Sequence, residues 1–154
     1  VPRGERRDRR PLPIPGGLVG TSIAAAEHLF GAGATVLVDG YNVGKSGWPD
    51  LELAEQRTLT VDAAERLARR VGADVGVVFD GAEVVGGHTV ERRAVRVVYS
   101  GADQSADDVL RGEVDRLPVG RHVVVVTNDR QVVGDVRARG ANTVASEQFL
   151  AVSL

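Results

Sequence analysis

Five aspartates lie at plausible edge positions of one predicted sheet: Asp39, Asp80, the adjacent pair Asp107 and Asp108, and Asp129. Carboxylates that are brought within several ångströms repel one another, and some must stay protonated unless a cation is bound. Mg²⁺ and Mn²⁺ prefer carboxylate oxygens and water, so we expect these aspartates to form a metal site. Such a site suits the attack of metal-activated water on a phosphodiester.

Each aspartate also has a structural interpretation when it is considered alone. Asp39 and Asp80 both precede glycine, as aspartates in tight turns do. Ser105 and Asp108 have the spacing of a helix capping box, and Asp129 is placed to cap the helix that follows it. The recurrence of acids at the ends of apolar runs, rather than any single aspartate, favours the metal site.

Alternating strands and helices are the pattern that would bring the aspartates together. Runs rich in valine predict strands at 35–39, 74–79, 94–99, 122–127 and 142–145. Helical spacing of apolar residues predicts helices at 21–30, 51–71, 105–117 and 130–139, and we expect a loop at 40–50. This alternation predicts an α/β fold with a mostly parallel sheet, whose carboxyl edge is where ligands bind.

Length and composition limit the classes of protein that need be considered. The 154 residues suit one domain, there is no cysteine, and there is no run of about 18 apolar residues that could span a membrane. The net charge of −2 excludes a uniformly basic nucleic-acid binder, although residues 1–10 contain five arginines and two acids. We expect a basic, proline- and glycine-rich tether at 1–20, a short helical segment at 21–34 and one domain at 35–154. Because methionine is absent, we also expect that an upstream domain is missing.

Other phosphate-binding α/β motifs fit these residues poorly. A P-loop ending at Gly44-Lys45-Ser46 would need glycine five residues before Gly44, where the chain has Asp39. No Gly-x-Gly-x-x-Gly fingerprint follows the first strand. An aspartyl phosphatase would usually have a second aspartate at the position of Tyr41, and a phospho-acceptor receiver would have paired acids at the end of the first strand.

Four blocks occur in order along the chain: Val-Asp-Gly-Tyr-Asn-Val (38–43), Val-Phe-Asp-Gly (78–81), Tyr-Ser-Gly-Ala-Asp-Gln-Ser-Ala-Asp-Asp (99–108) and Val-Thr-Asn-Asp-Arg (126–130). Together they resemble the YacP-like NYN domain family of the PIN-like ribonuclease superfamily, from about residue 36 to residue 150. The resemblance implies a Rossmann-like, PIN-like three-layer sandwich with a mostly parallel central sheet. It also implies a bacterial endoribonuclease, which we expect to be cytoplasmic.

The resemblance also implies roles for individual residues. Asp39, Asp80, Asp107 and Asp129 would be catalytic and would bind Mg²⁺ or Mn²⁺, with Asp108 as a further candidate ligand. A second set would bind or orient the substrate around them: Asn42, Thr127 and Asn128 from the resemblance, and Lys45, Arg130 and Tyr41 from their charge or stacking surface near the site.

We therefore predict a metal-dependent endoribonuclease that cleaves single-stranded RNA, such as mRNA or ribosome-associated RNA. Two other classes stay open at this point, namely a non-catalytic RNA-binding NYN module and a protein-interaction domain. No membrane partner is expected, and the oligomeric state stays open.

Overall fold

The structure, a computed structural model, describes residues 8–81, 89–91 and 94–154, with the backbone alone at 89–91. The chain order is α1 (Ile23–Phe30), β1 (Thr35–Asp39), α2 (Gly40–Gly47), α3 (Leu53–Val71), β2 (Asp74–Phe79), β3 (Thr89–Glu91), β4 (Val95–Tyr99), α4 (Ala106–Arg116), β5 (Val123–Val126), α5 (Arg130–Ala138), β6 (Asn142–Val144) and α6 (Ser146–Ser153). No helix in this described part of the chain has both the length and the apolar character needed to span a membrane.

The strands form one sheet in the order β3-β4-β2-β1-β5-β6, in which β3 is antiparallel to β4 and the other pairs are parallel. The register brings Asp39 opposite Val78 of β2, and Val38 opposite Val126 of β5. The carboxyl ends of β1, β2 and β5 are therefore level at one edge. This arrangement confirms the predicted α/β, PIN-like fold with a mostly parallel central sheet.

Helices cover both faces of the sheet, which is why its strands are almost continuously apolar. On one face, Val36 and Val38 pack in a core with α1, α3 and α6. On the other face, Leu37 packs with Leu110 of α4 and Val132 of α5. The four valines of β5 are all buried, so the two cores and the sheet between them form three layers.

The expected loop at 40–50 is wrong for its first eight residues, which form α2. Three glycines lie in or at the ends of this helix, and glycine lowers intrinsic helix propensity. The close packing of α2 on α3 explains why these residues form a helix despite their glycines. A Cβ at Gly44 would lie only 3.0 Å from Cβ of Gln56. Helix α6 and strand β3 were not among the predicted elements either.

The N-terminal segment is attached to the domain by side-chain hydrogen bonds. The Arg9 guanidinium donates to carbonyl oxygens at the end of α4 and just after it, those of Val114, Leu117, Pro118 and Arg121. The Asn142 side chain accepts from the Leu12 N–H at 2.7 Å and donates to its carbonyl at 3.0 Å. We call residues 9–22 the strap; the first seven residues of the expected tether lie outside the described part.

Candidate functional site

A cleft of about 240 Å³ lies at the carboxyl edge of the sheet, and we call it the acidic cleft. Its lining residues are Asp39, Tyr41, Asn42, Lys45, Leu53, Asp80, Ala106, Asp107 and Asp129. Four of the five aspartates singled out from the sequence are thus neighbours in space, although they come from four separate segments. The fifth, Asp108, lies outside this lining.

The glycine of each Asp-Gly pair is required because neighbouring atoms lie too close to its Cα for a side chain to fit. A Cβ on Gly40 would lie 2.4 Å from the ring of Phe79, and a Cβ on Gly81 would lie 1.8 Å from the carbonyl oxygen of Ser100. Neither glycine has a positive φ, so their role is to leave space rather than to adopt a left-handed conformation. The two glycines therefore allow the strands before them to end at the same recess.

Asp39 is the most buried acid of the cleft, with 7% of its surface exposed. It precedes α2, but its carboxylate does not cap that helix; instead it accepts a hydrogen bond of 2.8 Å from the Thr127 hydroxyl. Burial raises the pKa of Asp39 to about 6, and the negative charges of Asp107 and Asp129 act in the same direction. The Thr127 hydrogen bond and the positive charge of Lys45 oppose this rise in pKa.

Asp107 and Asp108 are adjacent in sequence but have different environments. Burial raises the pKa of Asp107, and the charges of Asp129 and Asp80 add to the rise. The Asp108 carboxylate instead accepts from the Ser105 N–H at 3.2 Å and pairs with Arg111, and these bonds lower the pKa of Asp108. The capping-box interpretation therefore describes Asp108, whereas Asp107 is the member of the pair that lines the cleft.

Asp129 combines a structural contact with a place in the cleft. One of its carboxylate oxygens accepts from the N–H groups of Gln131 and Val132 at 2.9 and 3.2 Å, which caps α5 as predicted. Its own N–H donates to the Thr127 hydroxyl at 3.0 Å. The side chain is thereby held beside Asp39, so the cap orients an acid of the site.

Asp80 is contacted from the neighbouring strand by Ser100, which was not among the predicted site residues. The Ser100 hydroxyl lies 3.5 Å from a carboxylate oxygen of Asp80 and also accepts from the Gly81 N–H at 2.8 Å. Ser100 directly follows β4 and is 1% exposed. The recurrence of a polar residue after a strand was the available signal, since the same rule identified Asp80.

Asn42 and Asn128 join the site to α6. The Asn42 side-chain oxygen accepts from the Asn128 N–H and the Ser146 hydroxyl, both at 2.8 Å. Asn128 in turn accepts from the Ser146 N–H at 2.9 Å and donates to Glu147 at 2.8 Å. Both asparagines thus have structural contacts, although Asn42 also lines the cleft. Ser146 and Glu147 were not predicted, because nothing local in the sequence marks them.

The predicted substrate-binding side chains are placed differently from one another. Lys45 is exposed and lines the cleft. Tyr41 also lines it, but the residue is only 9% exposed, and its ring centroid lies 5.0 Å from that of Phe79. Its hydroxyl accepts a hydrogen bond from Arg57. Tyr41 therefore presents little surface on which a base could stack. Arg130 lies outside the acidic cleft, in a neighbouring groove.

The donor set of the cleft fits a hard dication. Among the described residues, its titratable lining consists of four carboxylates, one tyrosine and one lysine, without histidine. No group of three or more acidic or histidine side chains among the described residues is already arranged as a metal site. Burial is the main cause of the raised pKa of Asp39 and of Asp107, and repulsion from neighbouring aspartates adds to it. A bound dication would relieve that repulsion.

Comparisons with known proteins identify the family and the fold of the chain. The profile of the YacP-like NYN domain family matches residues 36–152. Two crystal structures of Rae1 (YacP) from Bacillus subtilis have a similar fold. A tryptophan-to-leucine mutant of Rae1 has a TM-score of 0.67 and 22% identity over 78% of this chain and 74% of that chain. The other has a TM-score of 0.66 and 23% identity over 77% of this chain and 72% of that chain.

At these identities the two crystal structures establish the shared fold only. No curated protein matches the chain significantly. The family profile covers most of the chain and includes all four acids of the cleft. The chain therefore belongs to the YacP-like NYN domain family, a family of PIN-like nucleases.

Proposed function

We propose that this protein is a metal-dependent endoribonuclease that cleaves single-stranded RNA at the acidic cleft. One observation carries the proposal: Asp39, Asp80, Asp107 and Asp129, from four segments of the chain, line a single recess at the carboxyl edge of the sheet. A folded protein rarely gathers carboxylates in this way without a cation, since their mutual repulsion destabilises the fold. Membership of a nuclease family supports the same chemistry.

The four aspartates would hold Mg²⁺ or Mn²⁺. When bound, such an ion supplies positive charge at the scissile phosphate and lowers the pKa of water. Thr127 orients the Asp39 carboxylate through its hydroxyl. The backbone N–H groups at the start of α5 fix the orientation of Asp129. These contacts leave few rotamers to the acids, so the site is organised before substrate arrives.

Lys45 is the residue of the cleft best suited to bind the RNA backbone. Its ammonium group is exposed at the cleft and carries the charge that a phosphate needs. The cleft is a recess between the beginnings of α2, α4 and α5, and a single strand can bend into such a recess more readily than a duplex. Family membership, rather than any base-reading contact, supports RNA as the substrate.

The test is cleavage of a fluorescent single-stranded RNA during titration with Mg²⁺ and with Mn²⁺. We expect the wild type to cleave only when a dication is present, and we expect Asp39→Asn to bind RNA without cutting it. Asp108→Asn is the matched control, because it removes the same charge from a side chain outside the cleft. Cleavage should survive in that control.

Two outcomes would overturn the proposal in favour of another function. Binding of several RNAs without cleavage in either metal would identify a non-catalytic RNA-binding module, an alternative favoured by the lack of a ready-made metal cluster among the described residues. Failure to bind RNA even at low salt, where phosphate contacts are strongest, would identify a protein-interaction domain.

A further inference from the structure

A second cavity, of about 920 Å³, adjoins the acidic cleft, and we call it the strap groove. Four strap residues line one side: Pro11, Ile14, Gly20 and Thr21. Most of the remaining lining comes from the β5–α5 connection, α5, β6 and the residues next to them: Thr127, Asn128, Arg130, Val133, Arg137, Ala141, Asn142, Thr143, Val144 and Ala145. The groove thus runs between the N-terminal segment and the edge strand of the sheet.

The strap is bonded to the domain at both ends of the groove. At one end, Asn142 makes its two hydrogen bonds with Leu12. At the other end, the Gln148 side chain donates to the carbonyls of Gly20 and Ser22 at 2.9 and 2.8 Å. The wall is therefore part of the folded domain, and the groove is present before any ligand binds.

Gly140 shows that the domain is shaped to receive the strap. Its φ of +84° lies in the region that favours glycine. A Cβ at this position would also lie 1.9 Å from the carbonyl oxygen of Arg9. Both the backbone conformation and the available space at residue 140 therefore depend on glycine where the strap crosses.

The groove and the acidic cleft share one connection of the chain. Thr127, Asn128 and Arg130 line the groove, whereas Asp129, between them in sequence, lines the cleft. Thr127 also holds Asp39 through its hydroxyl. A polymer with a reacting phosphate in the cleft could therefore continue into the groove within the length of this connection.

The charge of the groove suits the same polymer. Arg130 and Arg137 are both exposed and line it, and its lining contains no aspartate or glutamate among the described residues. The Arg137 guanidinium is oriented by a hydrogen bond of 2.9 Å from its Nε to the Thr143 hydroxyl. The acidic cleft and the arginine-lined groove thus meet the same connection, residues 127–130, so carboxylates lie in one cavity and guanidinium groups line the other.

We propose that the strap groove binds the stretch of single-stranded RNA next to the scissile phosphate, with backbone phosphates at Arg130 and Arg137. This inference rests on the proposed function of the acidic cleft. The strap lies outside residues 36–152 that match the family, so this wall of the binding surface is contributed by residues beyond the family's domain. Arg137 and the strap thereby become determinants of substrate affinity.

The experiment measures binding of a fluorescein-labelled oligouridylate of about 12 nucleotides to the uncleaving Asp39→Asn protein by anisotropy. The test variant adds Arg130→Ala and Arg137→Ala. The matched control adds Arg69→Ala and Arg116→Ala, which remove the same charge from exposed helical positions outside both cavities. Thermal unfolding of each variant verifies that it is folded.

We expect the groove variant to have a Kd that is ~5- to 10-fold higher at low salt. The Kd of the control variant should rise by less than ~2-fold. The slope of log K against log salt should fall by about 1.4 in the groove variant, since each phosphate contact to a single strand contributes about 0.7. A selective change of this kind in the groove variant would support the inference.

Equal weakening in both variants would overturn the inference, because it would reflect overall charge and not the groove. Unchanged binding in the groove variant would overturn it as well. In either case, metal-dependent cleavage by the wild type would show that the proposed function still holds. Failure of the wild type both to bind and to cleave RNA would reject the two proposals together.

Discussion

Replacing Asp39 by asparagine should stabilise the protein while abolishing cleavage. The pKa of Asp39 is about 6 in the folded state, above its ordinary value of 3.8. The folded state therefore binds the proton more tightly than the unfolded state does. The stability that this acid contributes is fully present below pH 3.8 and is lost progressively as the pH rises through about 6. The amide introduced by Asp39→Asn would stay neutral at every pH.

The size of the effect follows from the two pKa values. The difference between 3.8 and about 6 corresponds to ~3 kcal/mol in the free energy of unfolding at pH 7. The asparagine amide introduces a donor into a buried site, which costs about 1 kcal/mol if it is poorly paired. The net gain is then ~2 kcal/mol. For a chain of this length, that gain corresponds to a rise in Tm of about 4 to 8 °C.

The measurement is urea unfolding of both proteins at a series of pH values in EDTA. The advantage of Asp39→Asn should be near zero at pH 4, should grow between pH 4 and 6, and should be constant above pH 7. Asp50→Asn, at an exposed loop position, is the control for the loss of one negative charge. Added Mn²⁺ should then raise the Tm of the wild type more than that of Asp39→Asn, because only the wild type retains the full set of ligands.

Two results would refute the reasoning about Asp39. Destabilisation by several kcal/mol with cleavage retained would show that Asp39 has a structural role, with the Thr127 bond as its main contribution. A stability advantage that does not depend on pH would show that ionisation of this carboxyl is not the cause.

Three further predictions follow from the same geometry. Asp107→Asn should reduce RNA cleavage at least ~100-fold without lowering Tm. Asp108→Asn should lower Tm and retain cleavage. The reverse pattern in cleavage and thermal unfolding would assign the metal ligand to Asp108. Gly81→Ala should destabilise the protein by about 3 kcal/mol or more in urea unfolding, because its Cβ would overlap a backbone carbonyl. Gly112→Ala, in open space on α4, should instead stabilise by ~0.5 to 1 kcal/mol, and equal effects of the two changes would contradict the close approach. Asn142→Ala should lower stability by ~1 to 2 kcal/mol and weaken RNA binding, since it releases the strap from the edge strand; unchanged unfolding would argue against that attachment.

The sequence predicts most strands of the sheet and most of the helices, because these elements depend on local patterns. Valine-rich runs and helical repeats that end at glycine can be recognised over about five to twenty residues. The five predicted strands differ from β1, β2, β4, β5 and β6 by about two residues at most, whereas β3 was not predicted. Helix α2 was mistaken for a loop for the opposite reason. Its stability comes from packing against α3, which is a tertiary contact that overrides the low propensity of its glycines.

Sequence alone also predicted that Asp39, Asp80 and Asp129 lie at one edge, because parallel strands must end together and each of these acids ends a strand or follows one. Their roles as metal ligands and catalytic groups stay predictions. Only the tertiary structure shows that Asp107, and not Asp108, lines the cleft. Adjacent residues on a helix point in different directions, and packing decides which of them enters the cleft.

The strap groove could not be predicted from local sequence patterns. Its walls are joined by contacts between residues about 130 positions apart, such as Leu12 and Asn142, and nothing local predicts such a pair. Arg9 and Gly140 are inconspicuous in the sequence and meet only because the strap crosses the end of α5. Local patterns thus determine which elements form and where their acids fall, whereas long-range packing decides which side chains share a cavity.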